Sequence, residues 1–309
     1  MKKHVLLTGL LVLLLYPLTA ADDVYFSKIG IGQGLSQLTV MTIYQDELGT
    51  MWFGTREGVS RYNGNSMEVI RPVPNDSNSL NGSLVRYICG DKSGSVYIQS
   101  QGGVNRYDLR TSRLHSIQTA NVDAIAYGTS GLWLAEGNRL YLFKNQKKEL
   151  YLELQPADVH IRILRETSEK RLIIGTMSSG VYIVDPNKKI RRAIASLSQV
   201  SSIYEDSRKN IWIGTWYHGL FRIEKNGRIR NYMPDENKPE KSLSSSFVRS
   251  ITQDNNDILW VGTRKGLDKM NIETEEFEHY EAGSEHMQQL SNESVWGLYK
   301  DSQGTIWIG

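Results

Sequence analysis

Residues 200–215 read VSSIYEDSRKNIWIGT and residues 248–263 read VRSITQDNNDILWVGT. Each runs Val, Ile three places on, Asp six places on, Trp twelve places on, then Gly-Thr. The frame also fits Val40, Ile43, Asp46, Trp52, Gly54 and Thr55, and again Val295, Leu298, Asp301, Trp307 and Gly309. Weaker copies start at Val85, Val122 and Ile161; the one at Val122 is a residue shorter, with Trp133 in the Trp slot. The starts recur at a mean spacing of about 42 residues, the length of a propeller blade of four short strands.

Each repeat reads as strands. Residues 40–44 suit an inner strand, 46–49 a tight turn, 50–54 a second strand, 59–62 an alternating third and 67–70 a fourth. Gly49, Gly94 and Gly304 share one turn slot, where Lys209 and Asp257 stand in other copies. No segment sustains a 3.6-residue apolar period, so helix is nearly absent. Five of the seven Trp (52, 133, 212, 260 and 307) occupy one slot, as expected of aromatic wedges between neighbouring blades. The expected fold is therefore all-β: a propeller of four-stranded antiparallel blades, about seven repeats, the last incomplete. The sequence stops in the second strand of that repeat, which reads as a fragment of a longer protein. Residues 24–29 are expected to supply the outer strand of the last blade.

Composition agrees. Of 309 residues, 27 are Gly and 16 Tyr, and a mean hydropathy of −0.40 marks a soluble globular balance. Lys2 and Lys3, the apolar run 5–15, Pro17 and Thr19-Ala20-Ala21 have the order of a secretory leader, which assigns 1–21 to a signal peptide and 22–309 to the propeller. Without that leader, 34 basic residues balance 34 acidic ones, so no basic field for nucleic acid is expected. A single Cys, Cys89, excludes an internal disulfide and is expected to be a buried, inert thiol.

The motif Asp46…Trp52-Phe53-Gly54-Thr55-Arg56-Glu57-Gly58-Val59-Ser60-Arg61-Tyr62, its counterpart from Asp206 to Ile223 and the opening Gly34-Leu35-Ser36-Gln37 resemble the two-component regulator propeller repeat. The resemblance covers about residues 24–309. It implies the periplasmic sensor region of a hybrid two-component system, which detects glycan-derived oligosaccharides and regulates a histidine kinase phosphorelay. The partners implied are an oligosaccharide, a second propeller, a β-sandwich and a membrane helix of an inner-membrane-anchored parent, with a homodimer in that context.

In a propeller, the turns after the second strands gather around one end of a central channel. Trp216, Tyr217 and His218 depart from the Thr-Arg-x-Gly pattern there, and suit stacking on a sugar face and hydroxyl hydrogen bonding. Arg56 and Arg264 suit a carboxylate or sulfate on an acidic sugar. These five are the candidate ligand-binding residues. The long polar loops 74–81 and 234–243 read as spacers.

No catalytic residue is assigned. The Asp-turns resemble the Asp-box of sialidases, but with one residue more between Asp and Gly, and no spacing supports a Tyr nucleophile with an arginine cluster. The six His form no metal-binding pair, and His279 and His286 read as surface residues. No metal or cofactor is expected. The alternatives kept are a scaffold or protein-interaction propeller and a sialidase-like glycoside hydrolase.

Overall fold

The computed structural model of the chain describes residues 24–118, 122–283, 290 and 292–309. The expected leader and His286 lie outside the described residues. Six four-stranded antiparallel sheets follow in chain order, at 40–70 (blade 1), 85–118 (blade 2), 124–153 (blade 3), 161–194 (blade 4), 200–232 (blade 5) and 248–280 (blade 6). A two-stranded sheet, Leu298–Lys300 with Ile306–Ile308, forms blade 7. The first strands of successive blades contact one another all the way round, blade 7 against blade 1 included, so they enclose a central channel.

A carboxylate clamp builds the blade. Asp206 Oδ1 accepts from the Arg208 and Asn210 backbone N–H at 2.9 and 2.8 Å, which closes the turn between the first two strands. Its Oδ2 accepts from the Trp212 indole and the Asn210 side-chain amide, both at 2.8 Å. Asp46, Asp254 and Asp301 bind their turns and Trp52, Trp260 and Trp307 in the same way, at 2.8, 3.1 and 2.8 Å from the indole. Charge-assisted bonds of this kind rank among the strongest side-chain contacts, and they satisfy an indole N–H that burial would otherwise orphan. Lys209 and Asp257 take the Gly49 turn slot in the left-handed region, with φ 68° and 59°. Blade 3 lacks the aspartate, and Glu166 of blade 4 replaces it. Its Oε2 takes the Trp133 indole at 2.7 Å and its Oε1 the Thr129 N–H at 2.9 Å.

Neighbouring blades are joined by two repeated contacts. The last residue of an inner strand reaches the preceding blade's turn: Gln253 accepts from Ser207 N–H at 2.8 Å, Glu205 from Ser168 N–H at 2.7 Å, and Gln45 from Ser302 N–H at 2.8 Å. The last of these closes the ring across 257 positions of sequence. The Gly of Trp-x-Gly receives the Val that opens the next blade. A Cβ on Gly214 would lie 2.6 Å from Val248 Cγ1, and one on Gly309 would lie 2.7 Å from Val40 Cβ. The Val and the Gly of one repeat thus serve two different interblade contacts, the Val with the Gly of the preceding blade and the Gly with the Val of the next.

Two expectations need correction. Residues 24–29 form no strand: Val24 and Phe26 pack on the cluster around Trp260, Leu290 and Val295, and Phe26 meets Tyr280 edge-on at 5.6 Å. Ile306–Ile308 pairs only with Leu298–Lys300 among the described residues, so there is no third strand for an outer one to join. His279 is not a free surface residue. Its Nδ1 lies 2.8 Å from the buried Asp268 Oδ1 and its Nε2 lies 3.0 Å from the Pro239 carbonyl, which ties the 234–243 loop to blade 6. Two acceptors on one imidazole require both nitrogens to donate, which only the imidazolium does.

Asp206→Ala leaves the Trp212 indole buried without its acceptor and opens the turn. It is expected to cost about 3 kcal/mol and to lower the melting temperature by roughly 5–10 °C, read by differential scanning calorimetry. The hydrogen bond to Asp268, assisted by that residue's charge and the Pro239 carbonyl, raises the His279 pKa above its ordinary 6.5. A raised base contributes its full stabilisation below the unfolded value and loses it as pH climbs through the folded one. Denaturation midpoints measured from about pH 6 to about pH 8.5 should therefore fall across that window, and His279→Gln should flatten the fall.

Candidate functional site

The inner strands place side chains at the channel mouth by a local irregularity. Val200 pairs with Thr215 and Ser202 with Gly214, so Ser201 is an extra residue between them. The same register shift falls between Val40 and Thr42, Val85 and Tyr87, Ile161 and Ile163, and Val248 and Ser250. Bulges re-aim the extra side chain. Here the residue after each repeat's first position (Met41, Arg86, Asp123, Arg162, Ser201, Arg249 and Trp296) lies on the wall of one cavity of about 1040 Å³, near the upper end of the range for small-ligand sites. The Val or Ile before each and the Ile or Leu two places after it repeat and these do not, so a repeating scaffold carries a variable ring.

The turns after the second strands add a rim with Arg56, Gln101, Met177 and Trp216. Of the five residues singled out in the sequence, Arg56 and Trp216 line the cavity and Tyr217, His218 and Arg264 do not. Tyr217 stands exposed and edge-on to Phe247 at 5.6 Å. His218 points to Ser198 Oγ at 3.2 Å. Arg264 is exposed on the corresponding turn of blade 6, with its backbone N–H donating to the Phe247 carbonyl. The Trp216 ring is already occupied: Phe247 stacks on it at 5.2 Å and 18°, and the Arg162 guanidinium sits 3.8 Å from its centroid. Its contribution is to hold Arg162 rather than to offer a bare face to a sugar.

The mouth is strongly positive. Arg56, Arg86, Arg162 and Arg249 are on the wall, and the one carboxylate there among the described residues is Asp123, whose Oδ2 accepts from Gly137 N–H at 2.7 Å. Arg249 lies 3.4 Å from the Trp296 ring centroid. Burial, and then the like charges of Arg264 and Arg56, push the Arg249 pKa down to about 10. Burial also lowers that of Arg162, with Arg86 adding to it. Arg162 itself is held by a hydrogen bond to the Gln199 side chain. Burial holds the Tyr87 phenol above its ordinary range, and its hydroxyl donates to the Arg162 carbonyl at 2.7 Å.

Other candidates fall elsewhere. Asp46, Asp206, Asp254 and Asp301 use both carboxylate oxygens in the clamps, at the ends of the strands away from this mouth. The Cys89 thiol is pushed up to about 12, chiefly by burial. Among the described residues no three His, Cys, Asp or Glu side chains group as metal ligands. The two long loops end as anchors: Leu80 and Leu243 are buried, and the next residues, Asn81 and Ser244, donate their N–H to Asn105 and Asp268 of the third strands at 2.9 Å.

Comparison with known proteins fits this architecture. The two component regulator propeller family matches at residues 34–57, 196–217, 242–265 and 289–309, the four strong copies of the repeat. A curated histidine kinase of Formosa agariphila is 43% identical over 47 residues, which is 15% of this chain and 3% of that protein. Two solved extracellular domains described as belonging to hybrid two component systems of B. thetaiotaomicron superpose with TM-scores of 0.77 and 0.73 at 24% and 22% identity. They take in 92% and 93% of this chain, which spans only 40% and 38% of theirs. At these identities the superpositions establish the fold.

Proposed function

We propose that this chain, which belongs to the two component regulator propeller family, is an extracytoplasmic ligand-sensing region of a hybrid two-component system, and that it takes a glycan-derived oligosaccharide at the channel mouth. The observation that carries the reading is the ring of seven side chains on one cavity wall: they differ from blade to blade, while the Val or Ile before each and the Ile or Leu two places after it repeat. Recognition needs that division, because the scaffold must hold still while the contact residues are free to differ. A cavity of this size, with indole, amide and guanidinium groups on one wall, suits a short saccharide with many hydroxyls.

On this reading residues 1–21 export the chain to the periplasm. The remaining parts are a second propeller, a β-sandwich, a membrane helix and a histidine kinase in an inner-membrane homodimer, and they belong to the full-length protein. The propeller is non-catalytic. Ligand would act by preferring one relative placement of the sensor domains, since binding shifts a conformational equilibrium only through unequal affinity for its two states.

Titration calorimetry of the purified chain against a panel of neutral and acidic oligosaccharides is expected to find a saccharide ligand. Gln101→Ala and Trp216→Ala should each weaken it about five- to tenfold with the melting temperature of the Gln101 variant unchanged. A scaffold propeller would bind no saccharide, and a sialidase-like enzyme would release free sugar from the same panel.

A further inference from the structure

The balance of charge over the whole chain, 36 basic against 34 acidic residues, does not require a positive mouth. Arginines elsewhere meet carboxylates: Arg61 with Glu68, Arg139 with Glu153, Arg171 with Glu169 and Arg208 with Asp257. Among the described residues, Arg56, Arg86, Arg162, Arg249 and Arg264 form no such pair. Arg249 is the focus. Its Nε and Nη1 are enclosed without a hydrogen-bond acceptor among the described residues, and the face of its guanidinium rests on Trp296. With Nε and Nη1 enclosed, Nη2 is left as the nitrogen open to a ligand, where its N–H groups can donate charge-assisted bonds to a carboxylate or sulfate. Arg56 approaches the same indole, 5.9 Å from its centroid. Unpaired like charges brought together this closely oppose folding, so the arrangement is understood most simply as one completed by an anion.

We infer that the channel mouth is selective for anionic saccharides: Arg249 and Arg56, with Trp296 between them, take a carboxylate or sulfate group of the ligand. The inference rests on the saccharide-sensing reading above and narrows it to uronic acid-containing or sulfated fragments. Arg86 and Arg162, further round the ring, are placed for a second anionic group on the same oligomer. None of Trp296, Arg249, Arg86 and Arg162 belongs to the repeat signature; the three arginines sit at bulge positions and Trp296 at the equivalent position of blade 7.

The test is titration calorimetry of the purified chain with digalacturonate, a sulfated chondroitin disaccharide, galactobiose as the neutral counterpart and inorganic sulfate, each at about 20 mM and about 300 mM salt. The acidic disaccharides are expected to bind at least about tenfold tighter than galactobiose and to weaken with salt. Arg249→Gln should remove about tenfold or more of that affinity while leaving the ligand-free melting temperature equal or higher, because a like charge has gone; a merely structural arginine would lower it. Equal affinity for galactobiose, an unchanged Arg249→Gln variant, or no binding of any anionic probe overturns the inference. Tight galactobiose binding would do so while sparing the saccharide-sensing reading. Sulfate binding that depends on Arg249, with no saccharide bound, would uphold anion selectivity and overturn the saccharide reading instead.

Discussion

The structure depends on one carboxylate serving two masters. In each strong repeat an aspartate closes the first hairpin turn with one oxygen and holds the indole of the second strand with the other. The turn therefore cannot change length without releasing the Trp, and the Trp cannot shift register without opening the turn. Tyr204 is held opposite Trp212, Ile203 opposite Ile213 and Ser202 opposite Gly214, and the mismatch that remains is expelled to the far end of the hairpin. Blade 3 shows how strong the requirement is: having lost the aspartate, it obtains the same two contacts from Glu166 of the next blade.

The expelled mismatch is what places these side chains at the channel mouth. A regular hairpin would alternate its side chains between the two blade faces; the bulge adds one residue that belongs to neither and lies at the channel mouth. That residue is an arm of neither the clamp nor the Gly–Val contact between blades, and it is Met, Arg or Ser in the blades that carry the bulge. On the proposed reading, stability and recognition are separated by a single position along the strand.

Much of this was legible in the sequence because the clamp residues and the Val and Gly of the interblade contacts hold fixed places within each strong repeat. The strand assignment 67–70 matches Met67–Ile70, and the Trp slot lies in the interblade core as expected. The ring was not legible. Attention to constant positions passes over Arg249 and Trp296, which stand in a column that varies from repeat to repeat, as does the column after it. The Trp216-Tyr217-His218 triplet stood out by composition, but composition could not say that Phe247 and Arg162 cover its Trp. His279 likewise looked like a surface residue because its partners, Asp268 and Pro239, are 11 and 40 positions away.

The central claim is that the bulge residues form the ligand site. The most direct measurement is a crystal structure of the chain with an acidic disaccharide bound. The account predicts the sugar in the channel mouth, with its carboxylate or sulfate within about 3 Å of the Arg249 or Arg56 guanidinium. A ligand seated instead in the lateral groove between blades 2 and 3, against Tyr97, Tyr127 and Phe143, would contradict it.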